Sequence, residues 1–524
     1  MNQSKTSKFG KLQAFIWPIH KSEHKKFIPI LVLFFLISFN YNLLRAVKDS
    51  FVVTASSCGA ETIPFIKTWA ILPMALFMTF LFTRLSNRFS REKVFYLMMG
   101  LFLGFFLIFG LFLYPISNVL QPNKSADFLQ SYLPGGFRGL IAIFRIWPLT
   151  LFYVMSELWG VIILTMMFWG FTNYITSMNE AKRFYSLFAI GANISGVFSG
   201  QAAVKITSNL YNPIFPIGNN AWDQSVAYLC LVIVLIGLAS VLLFRWYNKN
   251  IISLDEVTSL SIRKKSKIKM SLRDSFSYLF QSRYLIYVAL LVLTYNITIN
   301  IVEVLWKNQL KELYPNPQEY AGYMGQVITS VGIIATFIAI FISGNSLRKL
   351  GWTVSAMVPP LIMFLTGAGF FSLLLLKDSY LIPFAAIFHS SPLNMCIFFG
   401  SLHNCLCRAS KYTFFDATKE LAFVPLSEES KMKGKAAIDG VGSRIGKSGG
   451  AFIFQVMLLL FGSLTPSIAY IAIVFFIITF IWAASVLSLG KQFQSYTAEP
   501  VSIKEQDEDT TLSKTEESQA ASLK

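Results

Sequence analysis

Residues 27–47, FIPILVLFFLISFNYNLLRAV, form the first long apolar run of the chain. A run of about 20 such residues crosses the ~30 Å hydrocarbon core of a bilayer as one α-helix. A helix is required there because hydrocarbon offers no partner for backbone N–H and C=O groups. The run therefore predicts a transmembrane helix, and it ends directly before two charged residues, Lys48 and Asp49.

Eleven further runs of this kind follow along the chain. They cover residues 63–83, 93–115, 147–176, 184–204, 225–247, 283–306, 321–343, 353–376, 380–404, 446–463 and 466–489. A single run could be a buried helix of a soluble protein, but twelve in series exclude that interpretation. The predicted fold class is an all-α polytopic membrane protein with about twelve transmembrane helices.

The composition also excludes an ordinary soluble protein. Of the 524 residues, 54% are hydrophobic and only 14% are charged, whereas a soluble chain holds about 25% charged residues. The net charge of +18 could suggest a nucleic-acid partner. The basic residues lie in the gaps between the apolar runs, where membrane proteins carry them, and we expect no binding of nucleic acid.

The distribution of Lys and Arg predicts the orientation in the membrane. The N-terminal tail and the even-numbered connections hold most of these residues, and the connection after the sixth run contains RKKSKIKMSLR at 263–273. Cytoplasmic loops carry the excess of Lys and Arg. Both termini are therefore predicted to be cytoplasmic, which agrees with an even number of spans.

Two weak internal repeats divide the chain at this basic connection. FNYNLLRAVKD at 39–49 resembles LTYNITINIVE at 293–303, and RLSNRFSREKVF at 84–95 has a counterpart in GNSLRKLGWTV at 344–354. Two related six-helix halves are typical of the major facilitator architecture, with the substrate bound between them. The predicted organisation is a basic cytoplasmic N-terminal tail (1–26), a first six-helix bundle (27–247), a basic cytoplasmic linker (248–282), a second six-helix bundle (283–490) and a disordered cytoplasmic tail (491–524).

Charged side chains inside the spans are candidates for a functional site, because each costs ~2.5–3.5 kcal/mol on insertion scales. The candidates are Arg45, Lys48 and Asp49 at the end of the first span, Glu157 in the fourth, Glu303 in the seventh and Lys447 at the start of the eleventh. Cations on two spans predict a site for an anion with several charges. The carboxylates either balance these cations in the empty site or carry a coupled proton.

The spacing of these residues leaves alternatives open. Arg45 and Lys48 lie three residues apart on one helical face, but near a helix end they could also extend to the membrane surface. Asp49 could pair with Arg45, four residues before it. Glu303 could serve only as the partner of Lys307, four residues after it.

The stretch GSRIGKSGG at 442–450 is similar to the phosphate-binding loop of nucleotide hydrolases. Such a loop needs a glycine five positions before Gly446, where the chain has Val441, and it follows a buried strand. The preceding segment is polar, and no connection is long enough for a nucleotide-hydrolysing domain. The glycines could allow close helix packing, which leaves Lys447 unexplained. A membrane-bound nucleotide-hydrolysing enzyme remains a distant alternative.

The cysteines and histidines predict no metal centre and no cofactor. The five cysteines are scattered and odd in number, so they form no disulfide framework. Cys405 and Cys407 lie near His403, but the spacing matches no zinc pattern. We expect buried thiols there.

Five segments together resemble the ATP/ADP translocases of obligate intracellular bacteria and plastids. They are RAVKDSFVVTA (45–55), SELWG (156–160), MFWGFTN (167–173), EAKRFYSLFAIGANISG (180–196) and KYTFFDATKELAFVPLSEESKMKGKAAIDGVGSRIGKSGG (411–450). The last segment is the most specific of them. The resemblance covers roughly residues 10–490.

The resemblance implies a nucleotide transporter rather than an enzyme, with two lysines and two glutamates critical for transport. By motif these positions are Lys48, Glu157, Glu303 and Lys447, and the GAN motif adds Asn193. Together with the charge argument, the predicted substrate-binding residues are Arg45, Lys48, Glu157, Asn193, Glu303 and Lys447. The aromatic residues Phe184, Tyr185 and Phe188 are candidates to hold the base.

The resemblance further implies ATP/ADP exchange, with import of host ATP across the bacterial inner membrane. Proton-coupled import of nucleotides is the alternative within the same family. The implied partners are nucleotides and the lipid bilayer, with phosphate or protons as further substrates. The sequence does not determine the oligomeric state or the preferred nucleotide.

Overall fold

The computed structural model describes residues 18–498, except 57, 177, 215, 252–278, 378–380, 427–429, 431–433, 436–437 and 439–441. Within these ranges the chain is helical and has no β-strand. This is the expected structure for a membrane protein that is not a barrel, because helices satisfy their own backbone hydrogen bonds. In the described residues each predicted apolar run corresponds to one helix or, for the tenth, to a bent pair of helices, and we label these elements α1 to α12.

The first six helices precede the basic connection. They are α1 (His24–Val53), α2 (Thr62–Arg88), α3 (Arg91–Leu113) and α4 (Trp147–Ile175), α5 (Met178–Thr207) and α6 (Ala221–Asn250). The last six helices follow it. They are α7 (Arg283–Leu313), α8 (Pro317–Ile342), α9 (Lys349–Leu376), α10 (Leu381–Ile387 with Pro392–Ala422), α11 (Ser443–Phe461) and α12 (Leu464–Ala498).

The predicted fold class is confirmed, and the predicted number of spans is close. Ten helices in the described ranges are long and apolar enough to cross a membrane, or eleven if the two pieces of α10, bent by 81°, form one span. Helix α11 contains a shorter apolar stretch, Ser448–Phe461. The chain is a multi-span membrane protein, but the count of twelve spans is not confirmed.

Several helices continue beyond the predicted apolar runs. Helix α12 continues to Ala498, so the start of the predicted disordered tail at 491 is helical. The Phe493 ring stacks on Trp352 at 5.2 Å between centroids, and this packing explains why the helix persists beyond the apolar run. Most of the predicted tails and linker, namely residues 1–17, 252–278 and 499–524, lies outside the described residues.

The two ends of the bundle differ in how the helices contact one another. We call the end where α1 begins and α12 ends the terminal end, and the other end the opposite end. At the opposite end, Gln318 of α8 donates hydrogen bonds to the carbonyls of Thr207 and Asn209, at 2.5 and 2.9 Å. Lys311 of α7 donates to the carbonyl of Cys58, between α1 and α2. These contacts join the first six helices to the last six.

Helices α2 and α11 also pack together at the opposite end. The Gln455 side chain of α11 accepts a hydrogen bond from Trp69 Nε1 at 3.1 Å. It donates to the Pro64 carbonyl at 3.1 Å and to Thr68 Oγ1 at 2.8 Å. One buried amide therefore fixes the start of α2 against the last six helices.

The connection between α3 and α4 extends over the same contact. It contains two short helices, Asn123–Tyr132 and Arg138–Arg145. Between them, the Gly136 backbone lies directly on α11, where an added Cβ would be 2.7 Å from Leu459 Cα and 2.8 Å from the Leu458 carbonyl oxygen. This connection from the first six helices therefore covers part of the last six.

At the terminal end, the described contacts hold each set of six helices within itself. Lys26 of α1 pairs with Glu180 of α5 at 3.0 Å. In the last six helices, Trp352 Nε1 of α9 donates to the Thr418 carbonyl of α10 at 2.8 Å. The two sets are thus joined at the opposite end, where the contacts described above concentrate.

Helices α5 and α8 are expected to separate when Gly200 gains a side chain. A Cβ at Gly200 would lie 2.4 Å from Thr329 Oγ1 and 2.5 Å from the Gly325 carbonyl oxygen of α8. We expect Gly200→Ala to destabilise the protein by about 1–3 kcal/mol, because overpacking displaces neighbouring backbone. The measurement is the melting temperature of purified protein in detergent.

Gly104→Ala is the matched control, because no atom lies within 4 Å of a Cβ added at Gly104. Its melting temperature should stay unchanged or rise, since alanine favours helix by up to ~1 kcal/mol over glycine. Equal melting temperatures for the two variants would show that close α5–α8 packing is not required.

Candidate functional site

Six charged side chains form one continuous chain of ion pairs between α1, α4, α7 and α10. In order they are Glu157, Lys48, Asp49, Lys307, Glu303 and Arg408, joined by nitrogen–oxygen distances of 3.1, 3.0, 2.8, 2.8 and 2.9 Å. The signs alternate, so each charge contacts only opposite charges along the chain. Paired ions avoid most of the cost of burying a lone charge in a low-dielectric environment. We call this array the ion-pair chain.

Lys48 is the cation that the first six helices contribute to the ion-pair chain. Its side chain is only 5% exposed, and its Nζ lies 3.9 Å from the centroid of the Tyr153 ring. Helix α1 continues to Val53, so Lys48 lies inside the helix rather than at its end. Extension to the membrane surface is therefore excluded for Lys48. Its partner Glu157 is more accessible, with 29% of the side chain exposed.

Glu303 connects two cations of the last six helices. The predicted pair with Lys307 is confirmed at 2.8 Å. The same carboxylate oxygen accepts from Arg408 Nη2 of α10 at 2.9 Å. Glu303 is thus more than a local partner of Lys307, since it ties α7 to α10.

The predicted pairing of Asp49 with Arg45 is wrong. Asp49 Oδ1 contacts Lys48 and Oδ2 contacts Lys307, because α7 brings a second cation to the Asp49 side of α1. Arg45 lies one turn earlier and is half-buried, and it has no ion-pair partner among the described residues. Its charge acts on Tyr412 of α10 across the interface.

Lys67 is a further cation beside the chain, on α2. Its Nζ donates to Asn300 Oδ1 of α7, which makes a second link between the two helix sets. The three cations and three carboxylates of the ion-pair chain cancel, whereas Lys67 and Arg45 leave a surplus of two positive charges. Such a surplus attracts an anion with several charges.

Departures from regular α-helix accompany the charged residues. Lys67 lies in a π-helical turn, Ile66–Ile71. A longer π-helical segment, Trp159–Trp169, begins two residues after Glu157, and another, Lys411–Phe415, begins three residues after Arg408. Such turns are rare and often occur at functional sites, because they redirect side chains relative to a regular helix.

Two buried tryptophans fix the helices that carry the carboxylates. Trp159, on the helix of Glu157, donates from Nε1 to the Ile37 carbonyl of α1 at 3.1 Å. Trp306, on the helix of Glu303, donates to the Ile397 carbonyl of α10 at 3.3 Å. Each bond joins two helices that also share an ion pair of the chain. The positions of the charged side chains are therefore determined by helix packing as well as by the ion pairs themselves.

The structure brings together only part of the predicted site. Lys48, Glu157 and Glu303 belong to the ion-pair chain. Asn193 is half-buried on α5, where its backbone carbonyl faces Gly332 of α8. Within the described residues it has no hydrogen bond to the ion-pair chain. Lys447 lies on α11, and its side chain lies outside the described part of the protein.

The prediction that Phe184 and Phe188 hold a base does not agree with the structure. Both rings are fully buried and pack against Phe27, at 4.8 and 5.4 Å between centroids. They form the contact between α5 and α1. Tyr185 is partly exposed and donates a hydrogen bond to Asn173.

Two cations of the site were missed by the sequence analysis. Lys67 interrupts the second apolar run, and this charge inside a span was the signal that could have identified it. Arg408 follows the predicted end of the tenth run at 404 and was assigned to a connection. Helix α10 continues to Ala422, which places Arg408 inside the bundle. In the described ranges, no group of three His, Cys, Asp or Glu residues is placed to hold a metal ion.

Comparisons with known proteins identify relatives of this protein. The family described as TLC ATP/ADP transporter matches residues 2–493. The chain is 42% identical over 503 residues to ADP,ATP carrier protein 1 of Chlamydia muridarum, covering 95% of this chain and 94% of that protein. It is 43% identical over 484 residues to the chloroplastic ADP,ATP carrier protein 1 of Arabidopsis thaliana, covering 92% and 76%.

Among solved structures, the fold is similar to the inward open conformation of the xylose transporter XylE from E. coli. The TM-score is 0.51 at 11% sequence identity, and the match covers 89% of this chain and 95% of that chain. At this identity the likeness concerns the fold alone.

Glu303→Gln is expected to destabilise the protein by about 3–5 kcal/mol, because removing one partner of a buried ion pair leaves the other charge uncompensated. Arg408 would lose its carboxylate, and Lys307 would keep only Asp49. Thermal unfolding in detergent measures the effect.

The control is Glu312→Gln, which breaks the more exposed pair with Lys377. Such a pair contributes about 0–1 kcal/mol, so this variant should unfold like the unaltered protein. If Glu303→Gln also unfolds like the unaltered protein, the ion-pair chain does not stabilise this conformation.

Proposed function

The chain belongs to the TLC ATP/ADP transporter family, and on that basis we propose that it exchanges ATP for ADP across a membrane by alternating access. The observation that carries the proposal is the surplus of two positive charges that Lys67 and Arg45 add beside the neutral ion-pair chain, between two sets of six helices. Relatives at about 40% identity are named ADP,ATP carrier proteins. ATP and ADP are polyanions, and a surplus of cations between the helix sets suits them.

Phosphate recognition is assigned to the cations on both helix sets. Arg45 and Lys48 act from α1, and Lys447 acts from the first turns of α11. Backbone N–H groups and the helix dipole near a helix N-terminus add to anion affinity. Hydrogen bonds between cations and phosphate oxygens are charge-assisted and therefore strong. Glu157 and Glu303 balance the cations when no nucleotide is bound.

Alternating access follows from the asymmetry of the two ends. The conformation described here is closed at the opposite end, by α2 with α11 and by α5 with α8. The distribution of Lys and Arg favours cytoplasmic termini in a bacterial inner membrane. With this orientation, the site opens towards the cytoplasm, and the outer side is closed. Rocking of the two helix sets would then expose the site to the outside.

Exchange rather than one-way transport requires that the empty protein changes conformation slowly. A ligand shifts a conformational equilibrium only by its differential affinity for the two states. A nucleotide that binds the cations of the chain changes the energy of the links between the helix sets. The loaded protein can then change conformation faster than the empty one. In proton-coupled import, the empty protein would also have to change conformation. Protonation of an accessible carboxylate such as Glu157 would allow this change without a bound nucleotide.

The test is uptake of labelled ATP by purified protein in liposomes. Liposomes loaded with ADP should take up ATP much faster than empty ones, and collapse of the proton gradient should have no effect. No ATP should be hydrolysed in the same assay. Uptake that ignores internal ADP but stops without a proton gradient would replace exchange by proton-coupled import. Uptake that requires neither would contradict both mechanisms.

Lys447→Ala is expected to reduce ATP uptake by about one to two orders of magnitude, since a hydrogen bond to a charged group contributes about 1.5–3 kcal/mol. The variant should still insert into the membrane at normal levels. Lys491→Ala, at an exposed lysine of α12, is the control and should transport normally. Normal uptake by Lys447→Ala would remove this lysine from the phosphate site.

A further inference from the structure

A single link of the ion-pair chain crosses between the two helix sets. It joins Asp49 Oδ2 of α1 to Lys307 Nζ of α7 at 2.8 Å, and the two side chains are 2% and 1% exposed. The other contacts of these residues stay within one helix set. Lys48 holds the second oxygen of Asp49, and Glu303 holds the other side of Lys307. Breaking the link therefore leaves each charge with a partner.

The link lies where the helix sets must separate for the opposite end to open. Asp49 is about one turn before the end of α1, and Lys307 is less than two turns before the end of α7. One turn further along α7, Lys311 donates to the Cys58 carbonyl. The opposite end cannot open between α1 and α7 without separating Asp49 from Lys307.

We propose that Asp49 and Lys307 form a lock that holds the opposite end closed until a nucleotide binds. The proposal rests on the proposed function, because it assigns residues to the coupling between nucleotide binding and opening. Neither residue belongs to the predicted phosphate-binding set. Both are positioning residues, since they act on the conformation rather than on the nucleotide itself.

The alternating order of charges supplies the route from nucleotide to lock. Arg408 is the cationic end of the ion-pair chain and is more accessible than Lys307, with 17% of its side chain exposed against 1%. A phosphate that binds Arg408 draws it away from Glu303. The Glu303 carboxylate then acts on Lys307 alone and competes more strongly with Asp49 for that cation. A phosphate on Arg408 thereby weakens the lock, whereas in the empty protein the lock remains closed.

Cys58 offers a native reporter of opening. It lies between α1 and α2 at the opposite end, and its side chain is buried. Burial raises the pKa of the Cys58 thiol to about 11, and the nearby Glu61 carboxylate contributes to the shift. The thiolate is the reactive form, so Cys58 should react slowly with a maleimide while this end is closed. The remaining cysteines, on α6 and α10, are buried within their own helix sets.

The experiment measures maleimide labelling of Cys58 in the purified full-length protein, with and without ATP. In the unaltered protein, labelling should be slow and should accelerate when ATP is added. Asp49→Asn and Lys307→Gln break the link from either side. Both variants should label at least tenfold faster without ATP, and ATP should add little. Asp49→Glu keeps the charge and should restore slow labelling.

Two controls accompany this measurement. Lys377→Gln breaks an ion pair with Glu312, at 3.3 Å, that lies within the last six helices, and it should label like the unaltered protein. Each protein molecule should also bind only one maleimide, and the Cys58→Ser variant should bind none. An unfolded variant would expose all five cysteines and be recognised by that count.

The transport readout is release of labelled ATP from preloaded liposomes into medium without nucleotide. The unaltered protein should release little, whereas Asp49→Asn and Lys307→Gln should release it at least tenfold faster. Slow labelling and strict exchange in both variants would overturn the lock, while leaving the proposed exchange function intact. If the unaltered protein transports no ATP, the exchange function fails. The labelling rates without ATP would still decide whether the link holds the opposite end closed.

Discussion

The central physical constraint on this protein is that a charge inside a membrane bundle must have a partner. The region between α1, α2, α4, α7 and α10 holds Lys67, Arg45 and six further charged groups that form one chain of alternating charges. Burial of any one alone would cost several kcal/mol. Paired in this way, they are tolerated at the centre of an apolar structure. They also make the interface between the helix sets sensitive to any anion that competes for a partner.

The same constraint connects the fold to transport. The contacts of α2 with α11 and of α5 with α8 close the opposite end, and the ion-pair chain lies just inside this closure. Cations from both helix sets face one region, so a polyanion bound there contacts both. A bound nucleotide can therefore change the balance between the two ends of the bundle. An arrangement of neutral hydrogen bonds would respond much less to the charge of a substrate.

The sequence was sufficient for the fold class, because within the described residues every apolar run became helical, the tenth in two pieces. It also singled out Lys48, Glu157 and Glu303 as charges inside or directly after apolar runs, and the structure joins these three residues in the ion-pair chain. It failed where a helix continued beyond its apolar run, as α10 does at Arg408. It also failed for the partner of Asp49, which lies on α7, far away in sequence. Pattern within one helix predicts local pairs such as Glu303–Lys307, but pairing between helices depends on packing that no single helix encodes.

The most direct measurement is an experimental structure of the protein with ATP bound. The account predicts the phosphates between the two helix sets, within hydrogen-bonding distance of Arg45, Lys48, Lys447 or Arg408. It also predicts that Arg408 has moved away from Glu303. A nucleotide bound elsewhere, with the ion-pair chain unchanged, would contradict the assignment of this site.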